Sequence, residues 1–390
     1  MKLRRIVPSM IALLLACSLP VTALAAEYDL AEGSVTVIAT ESGQTVTHGS
    51  NAAVPDDAPV IVQSNSETPT ANTVTIKAEE NATANVTLDG VNIDTRGTDK
   101  AAVEIQGEGD VVIELDGSNT VQSDWDRAGV EKNTRDPWGT NPGSGNGNLT
   151  ITDENETHGS LKATGGGLGA GIGGGEGRSG SNITITGNAE VTAQGGHGAA
   201  GIGGGSACGE GSYITIEGNA KVTAKGGNNA AGIGGGECCD GSNITITGSA
   251  EVTATGGGMG AGIGGGAWCT GSENITVSGD AQVKAQGGVE TNNPATGAAI
   301  GDGAQYNSAI PGSDIPGREE TPNTDALNEG WIAAYAPGTE NMDTAVPNSL
   351  TYKDDNGYLT TSSNAVPFTK EKPTCTVTDT EPDSRSATRR

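Results

Sequence analysis

The sequence predicts an all-β fold, a right-handed parallel β-helix with three short strands in each coil of about 30 residues. Three observations predict it. First, the phrase A-G-I-G-G-G is centred on Ile172, Ile202, Ile233 and Ile263 at steps of 30, 31 and 30 residues, with a degenerate copy at Ile300. Second, an N-I-T-I-like run at Ile183, Ile214, Ile244 and Ile275 and a V-T-A-like run at Val191, Val222, Val252 and Val283 travel with it. Third, aromatics make up 3% of the chain with a single Phe, too few for a conventional core, while Gly reaches 63 of 390 residues. Thin equivalent layers of Ile, Val and Ala supply a core that such a composition can build.

Taken in chain order, residues 1–25 read as a signal peptide. Lys2, Arg4 and Arg5 precede an apolar stretch from Ile6 to Leu19, and Ala23-Leu24-Ala25 fits a small-x-small cleavage site. A second reading takes Leu14-Leu15-Ala16-Cys17 as a lipobox with Cys17 lipidated. Both place the protein outside the cytoplasm, secreted or at the cell surface, and no later segment is apolar enough to span a membrane. Residues 26–72 contain one clear strand, Val35 to Ala39, and are expected to cap the first coil, since an uncovered end is a sticky edge.

Residues 73–303 form the repeat domain. In the unit opening at Gly180, Ile183 and Ile185 point inward and Thr184 and Thr186 outward. Val191 and Ala193 then point inward, followed by Ala200, Ile202 and Gly204, with glycines at the corners. The outward Gly201, Gly203 and Gly205 leave a face bare of side chains. Upstream, Val86/Leu88, Val91/Ile93 and Val103/Ile105 make one coil, and Val112/Glu114, Val121 and Val130 the next. Continuing the count gives about seven coils from Val74 to Gly303, a rod of about 35 Å. Residues 304–359 read as a C-terminal cap or irregular segment, with apolar clusters at Trp331–Tyr335 and Tyr352–Leu359, and 360–390 as a disordered tail.

Charge narrows the partners. Removing residues 1–25, which carry three basic residues and no acidic one, takes the net charge from −27 to −30. Nucleic acid and anionic lipid need basic patches, so both are excluded. The protein is expected to be monomeric.

Cys208, Cys239 and Cys269 each lie six residues after the Ile of A-G-I-G-G-G, with Cys238 one place earlier. Equivalent Cα atoms in adjacent coils lie about 4.8 Å apart, within disulfide range. Two disulfides are therefore expected among these four, and chain order favours Cys208–Cys238 with Cys239–Cys269. A zinc site is the alternative, and Cys375 is left over.

The corner carrying the cysteines also holds Glu176, Arg178, Glu210, Glu237, Asp240 and Trp268, and an insertion with Arg135, Asp136 and Trp138. Exposed Trp beside carboxylates suits sugar binding: the ring stacks on a pyranose and the acids take its hydroxyls. The bland reading is that the rings cover the corner and the acids keep it soluble. Asp116, Asp124 and Asp126 form a second acidic group, the place for a calcium ion if a cofactor is bound. The outward Thr ladders are ordinary strand residues. Catalysis has little support: His48, His158 and His197 are scattered, and no nucleophile elbow, H-E-x-x-H or phosphate loop occurs.

The repeat G-A-G-I-G-G-G…G-S-N-I-T-I-T-G-x-A-x-V-T-A-x-G-G, with the upstream segment Ala101 to Glu131, resembles the glycine-rich β-solenoid repeat of exported surface proteins of gut-type Gram-positive bacteria. The resemblance covers residues 85–303. It implies a carbohydrate-binding or adhesin-like role and carries no catalytic motif over. The cysteine ladder departs from it, and no wall-anchor motif is visible. The expected function is an exported binding module that engages a glycan or a surface protein. A polysaccharide lyase or glycosidase, and a purely structural stalk, are the alternatives.

Overall fold

The computed structural model describes residues 26–134, 143–290, 293–305, 315–353 and 359–362. All their regular elements are β-strands, and no helix among them is long and apolar enough to cross a membrane. The strands stack in parallel as a β-solenoid of about eight turns. Each turn runs from an I-T-I strand through a V-T-A strand to an A-G-I strand, and each motif builds one ladder.

The ladders are in register. Ile183, Ile214, Ile244 and Ile275 pair in succession, as do Val191, Val222, Val252 and Val283. Ile172, Ile202, Ile233, Ile263 and Ile300 complete the third ladder. Every one of these side chains is at most 3% exposed. Burying each contributes about 1.5–3 kcal/mol, so the core gains its stability by repetition.

The sequence reading misplaced the register of one strand. Val111, Ile113 and Leu115 face the core, and Val112 and Glu114 face out. A slip of one residue reverses every side chain of a strand, and the unbroken V-V-I-E-L run hides the choice. Residues 26–72 extend the stack at its N-terminal end. Glu27–Asp29 pairs in parallel with Val60–Val62, and Val35–Thr40 pairs in parallel with Val74–Ala78. They form a further turn, and Gly43–His48 folds antiparallel along its outer edge.

The glycine face is bare of side chains, as expected, and backbone covers it in a tight coil. Gly173, Gly203, Gly234, Gly264 and Gly301 have φ between +127° and +134°, a conformation that L side chains rarely adopt. The following corner folds back over them: a Cβ on Gly204 would lie 1.8 Å from the Gly209 carbonyl oxygen. Gly203, Gly204 and Gly205 are buried as a result.

At the far end, Trp331–Tyr335 adds a last parallel rung beside Gln282–Gln286, and Ser349–Lys353 pairs antiparallel with it. Glu319 accepts the N–H groups of Ala299 (3.0 Å) and Ile300 (3.4 Å), capping the last A-G-I rung.

Candidate functional site

The corner between the A-G-I and I-T-I strands is built from short polar columns. Ser181 Oγ accepts the Ser212 N–H at 3.2 Å, Ser212 Oγ the Ser242 N–H at 3.3 Å, and Ser242 Oγ the Glu273 N–H at 3.2 Å. Each rung is thereby tied to the next. The adjoining column reads Asn182, Tyr213, Asn243 and Asn274, all left-handed with φ between 55° and 58°. Asn tolerates that conformation and Tyr does not favour it. Tyr213 is nonetheless 61% exposed.

A groove of about 510 Å³ runs along this corner, with Glu108, Thr134, Asn146, Glu210, Tyr213 and Asp240 among its lining residues. A second groove of about 510 Å³ lies on the outer face of the I-T-I sheet, over Thr184, Thr215, Thr245 and Thr276. Tyr213 lines both. Glu108 accepts the Asn146 side-chain amide at 2.8 Å, and Asp240 accepts the Gly271 N–H at 2.9 Å.

The expected site residues divide. Glu210 and Asp240 line the groove. Glu237 turns toward the A-G-I sheet, where its carboxylate accepts the Asn229 amide at 3.0 Å and its N–H reaches the Gly198 carbonyl. Glu176 donates its N–H to the Asp126 carbonyl on that same side. Arg178 and Trp268 do not line the groove, and Trp268 is 39% exposed on the neighbouring column. Arg135, Asp136 and Trp138 lie outside the described residues. Thr134 and Asn146, on either side of the undescribed stretch 135–142, line the groove. Tyr213 was not foreseen; its signal is G-S-Y-I-T-I in a series of G-S-N-I-T-I.

The cysteines correct the sequence reading. Ala207 adds a residue to one corner, so counting from the preceding Ile misaligns it. Cys208 donates its N–H to Glu237 O, and Cys238 to Ala267 O, which places Cys208, Cys238 and Trp268 in one column. Gly236 and Gly266 donate to Gly209 O and Cys239 O, which places Gly209 and Cys239 in another, continued by Cys269. Burial follows the columns: Cys208 and Cys238 are exposed, Cys239 and Cys269 buried. All four are free thiols, and neither expected disulfide is formed. Side chains in one column leave successive rungs in the same direction, so their Cβ atoms stay near the rung spacing of about 4.8 Å, wider than a disulfide prefers. Burial, with Cys208 and Glu237 nearby, pushes the Cys238 thiol up to about 11. Burial also raises Cys239 and Cys269, beside Cys208 and Asp240 respectively.

Two of the acids expected to hold calcium accept hydrogen bonds within the fold. Asp116 lies within the Asp110–Gln122 strand and Asp124 just beyond its end. Asp116 accepts the Asn155 amide at 2.7 Å. Asp124 accepts the N–H groups of Gly97, Asp99 and Trp125, which hold its carboxyl below the usual range.

Behind the groove wall, Lys132 is fully buried and donates to the carbonyls of Gly145 (3.0 Å) and Ser181 (2.8 Å). Burial pushes its amine down to about 7. Beside it Glu131, 1% exposed, is tied to Arg127 at 3.2 Å and to the Ala128 N–H.

Residues 157–176, 183–206, 214–237 and 244–267 match the family model described as Beta helix repeat. No curated protein and no solved structure matches the chain.

Proposed function

We propose that this β-helix repeat protein is an exported binding module that takes up a glycan along the groove containing Tyr213. The observation that carries the reading is one exposed aromatic ring set among Asn, Ser and Thr ladders on a rigid corner. A pyranose face stacks on such a ring while its hydroxyls meet side-chain amides, hydroxyls and carboxylates. The grooves are shallow and repeat along the axis, which favours an extended chain over a single small molecule.

Tyr213→Asn tests this cleanly, because Asn already occupies that position in three neighbouring rungs. The variant should fold at least as stably as the parent and lose binding on a glycan array by about tenfold or more. Trp138→Ala and Trp268→Ala, assayed alongside, separate the insertion and the outer column from the groove. An array on which the parent binds nothing leaves the structural-stalk alternative.

A further inference from the structure

We infer that Cys208 and Cys238 together hold one soft monovalent ion, copper(I), as a two-coordinate dithiolate on the outside of the coil. This metal site does not depend on the glycan groove. The two residues occupy one column on successive rungs, since the Cys208 N–H donates to the Glu237 carbonyl and the Cys238 N–H to the Ala267 carbonyl. Both are left-handed, with φ of 72° and 68°, a conformation uncommon outside glycine. Matching backbones send the two side chains out in the same direction, and both are exposed.

The spacing that disfavours a disulfide suits a bridging metal. A disulfide wants its Cβ atoms about 3.8 Å apart, closer than rungs at about 4.8 Å. Side chains leaving in parallel keep their sulfurs near the rung spacing. With metal–sulfur bonds of about 2.2–2.3 Å, two thiolates on opposite sides of one ion lie about 4.5 Å from each other. Tetrahedral zinc would draw them to about 3.7 Å and needs two further ligands. Among the described residues, no three His, Cys, Asp or Glu side chains gather as such a site requires. Soft thiolates select copper(I), an ion that is satisfied by two ligands. The column continues to Trp268, which brings no sulfur. The neighbouring pair, Cys239 and Cys269, is buried, so the exposed column offers one site. On binding, each thiol releases its proton to solvent as its sulfur bonds the metal, and copper stays in the +1 state.

The test is anaerobic titration of the reduced full chain with copper(I), in competition with a chromophoric copper(I) chelator. The parent should take one equivalent, and X-ray absorption at the copper edge should show two sulfurs at about 2.2–2.3 Å. Cys208→Ser or Cys238→Ser should weaken binding by about 100-fold or more, because a single sulfur forfeits the chelate. Both residues are exposed, so thermal melts of these two variants should match the parent, and a lost site is then not a lost fold. Cys17→Ser, Cys239→Ala and Cys375→Ser should bind like the parent. Three or four sulfurs around the metal would overturn the two-coordinate assignment. Loss of the site in Cys239→Ala with Cys238→Ser silent would overturn the assigned pair. A parent that cannot compete for the ion, or binding that survives Cys208→Ser, overturns the inference altogether.

Discussion

Single residues set how this fold responds to pH. Lys132 lies in the interior at the position that Ile105 holds one rung earlier, and its amine sits at about 7 because burial disfavours the charge. The unfolded chain therefore binds more protons than the folded one between about pH 7 and the ordinary lysine value, and stability rises with pH there. The buried thiols act in the opposite sense. Cys239 and Cys269 stay protonated in the fold while their unfolded counterparts ionise, so stability falls once pH passes the ordinary thiol value. Melting temperature should climb from about pH 7 to about pH 8.5 and decline above it. Lys132→Met should flatten the rising limb and leave the falling one, as thermal melts across that range would show. A climb that persists in the variant would assign it to other groups.

At the scale of the strand, backbone conformation matters more than side-chain size. Gly234 has φ +127°, and a Cβ there would lie 2.1 Å from the Gly264 carbonyl oxygen. Gly234→Ala should lose several kcal/mol through strain and rung displacement. Thr245→Ala, on the outward face of the next strand, should change stability by less than about 1 kcal/mol. Denaturant melts of the two variants give the comparison, and equal losses would contradict the close contact between rungs at Gly234. This contrast also explains what could be read in advance. The ladders were legible because Ile and Val recur at one interval and alternate with Thr, a pattern only stacked strands satisfy. The fold-back was not, since period-2 patterning labels Gly203 outward and says nothing about what lies over it. The cysteine columns were misread by one residue, because Ala207 moves Cys208 from the buried column to the exposed one beside Cys238, its expected partner; the bridges are absent because of the rung spacing. Tyr213 went unseen because attention to recurring positions passes over the place where the recurrence breaks. In a repeat protein the regular positions encode the scaffold, and the interruptions hold the candidate chemistry.

The molecule as a whole is a stack whose turns touch only their neighbours, so its stability is close to a sum over turns with weak ends. The last A-G-I rung depends on the Glu319 carboxylate for two backbone N–H groups. Glu319→Ala should release the Ala299 and Ile300 amides to fast hydrogen exchange, while the Ile202 and Ile233 amides keep their protection. Uniform deprotection would mean that the stack unfolds as one unit. The Ala207 corner has a wider meaning. It absorbs an additional residue while Ile202 stays paired with Ile233 and Ile214 with Ile244, and the nearby insertion at residues 131–148 leaves Val130 paired with Ile172. Length changes at this corner are thus decoupled from the register of the core. Recombination between near-identical repeats, or a randomised library placed at this edge, can vary the surface there while the scaffold beneath it is inherited unchanged.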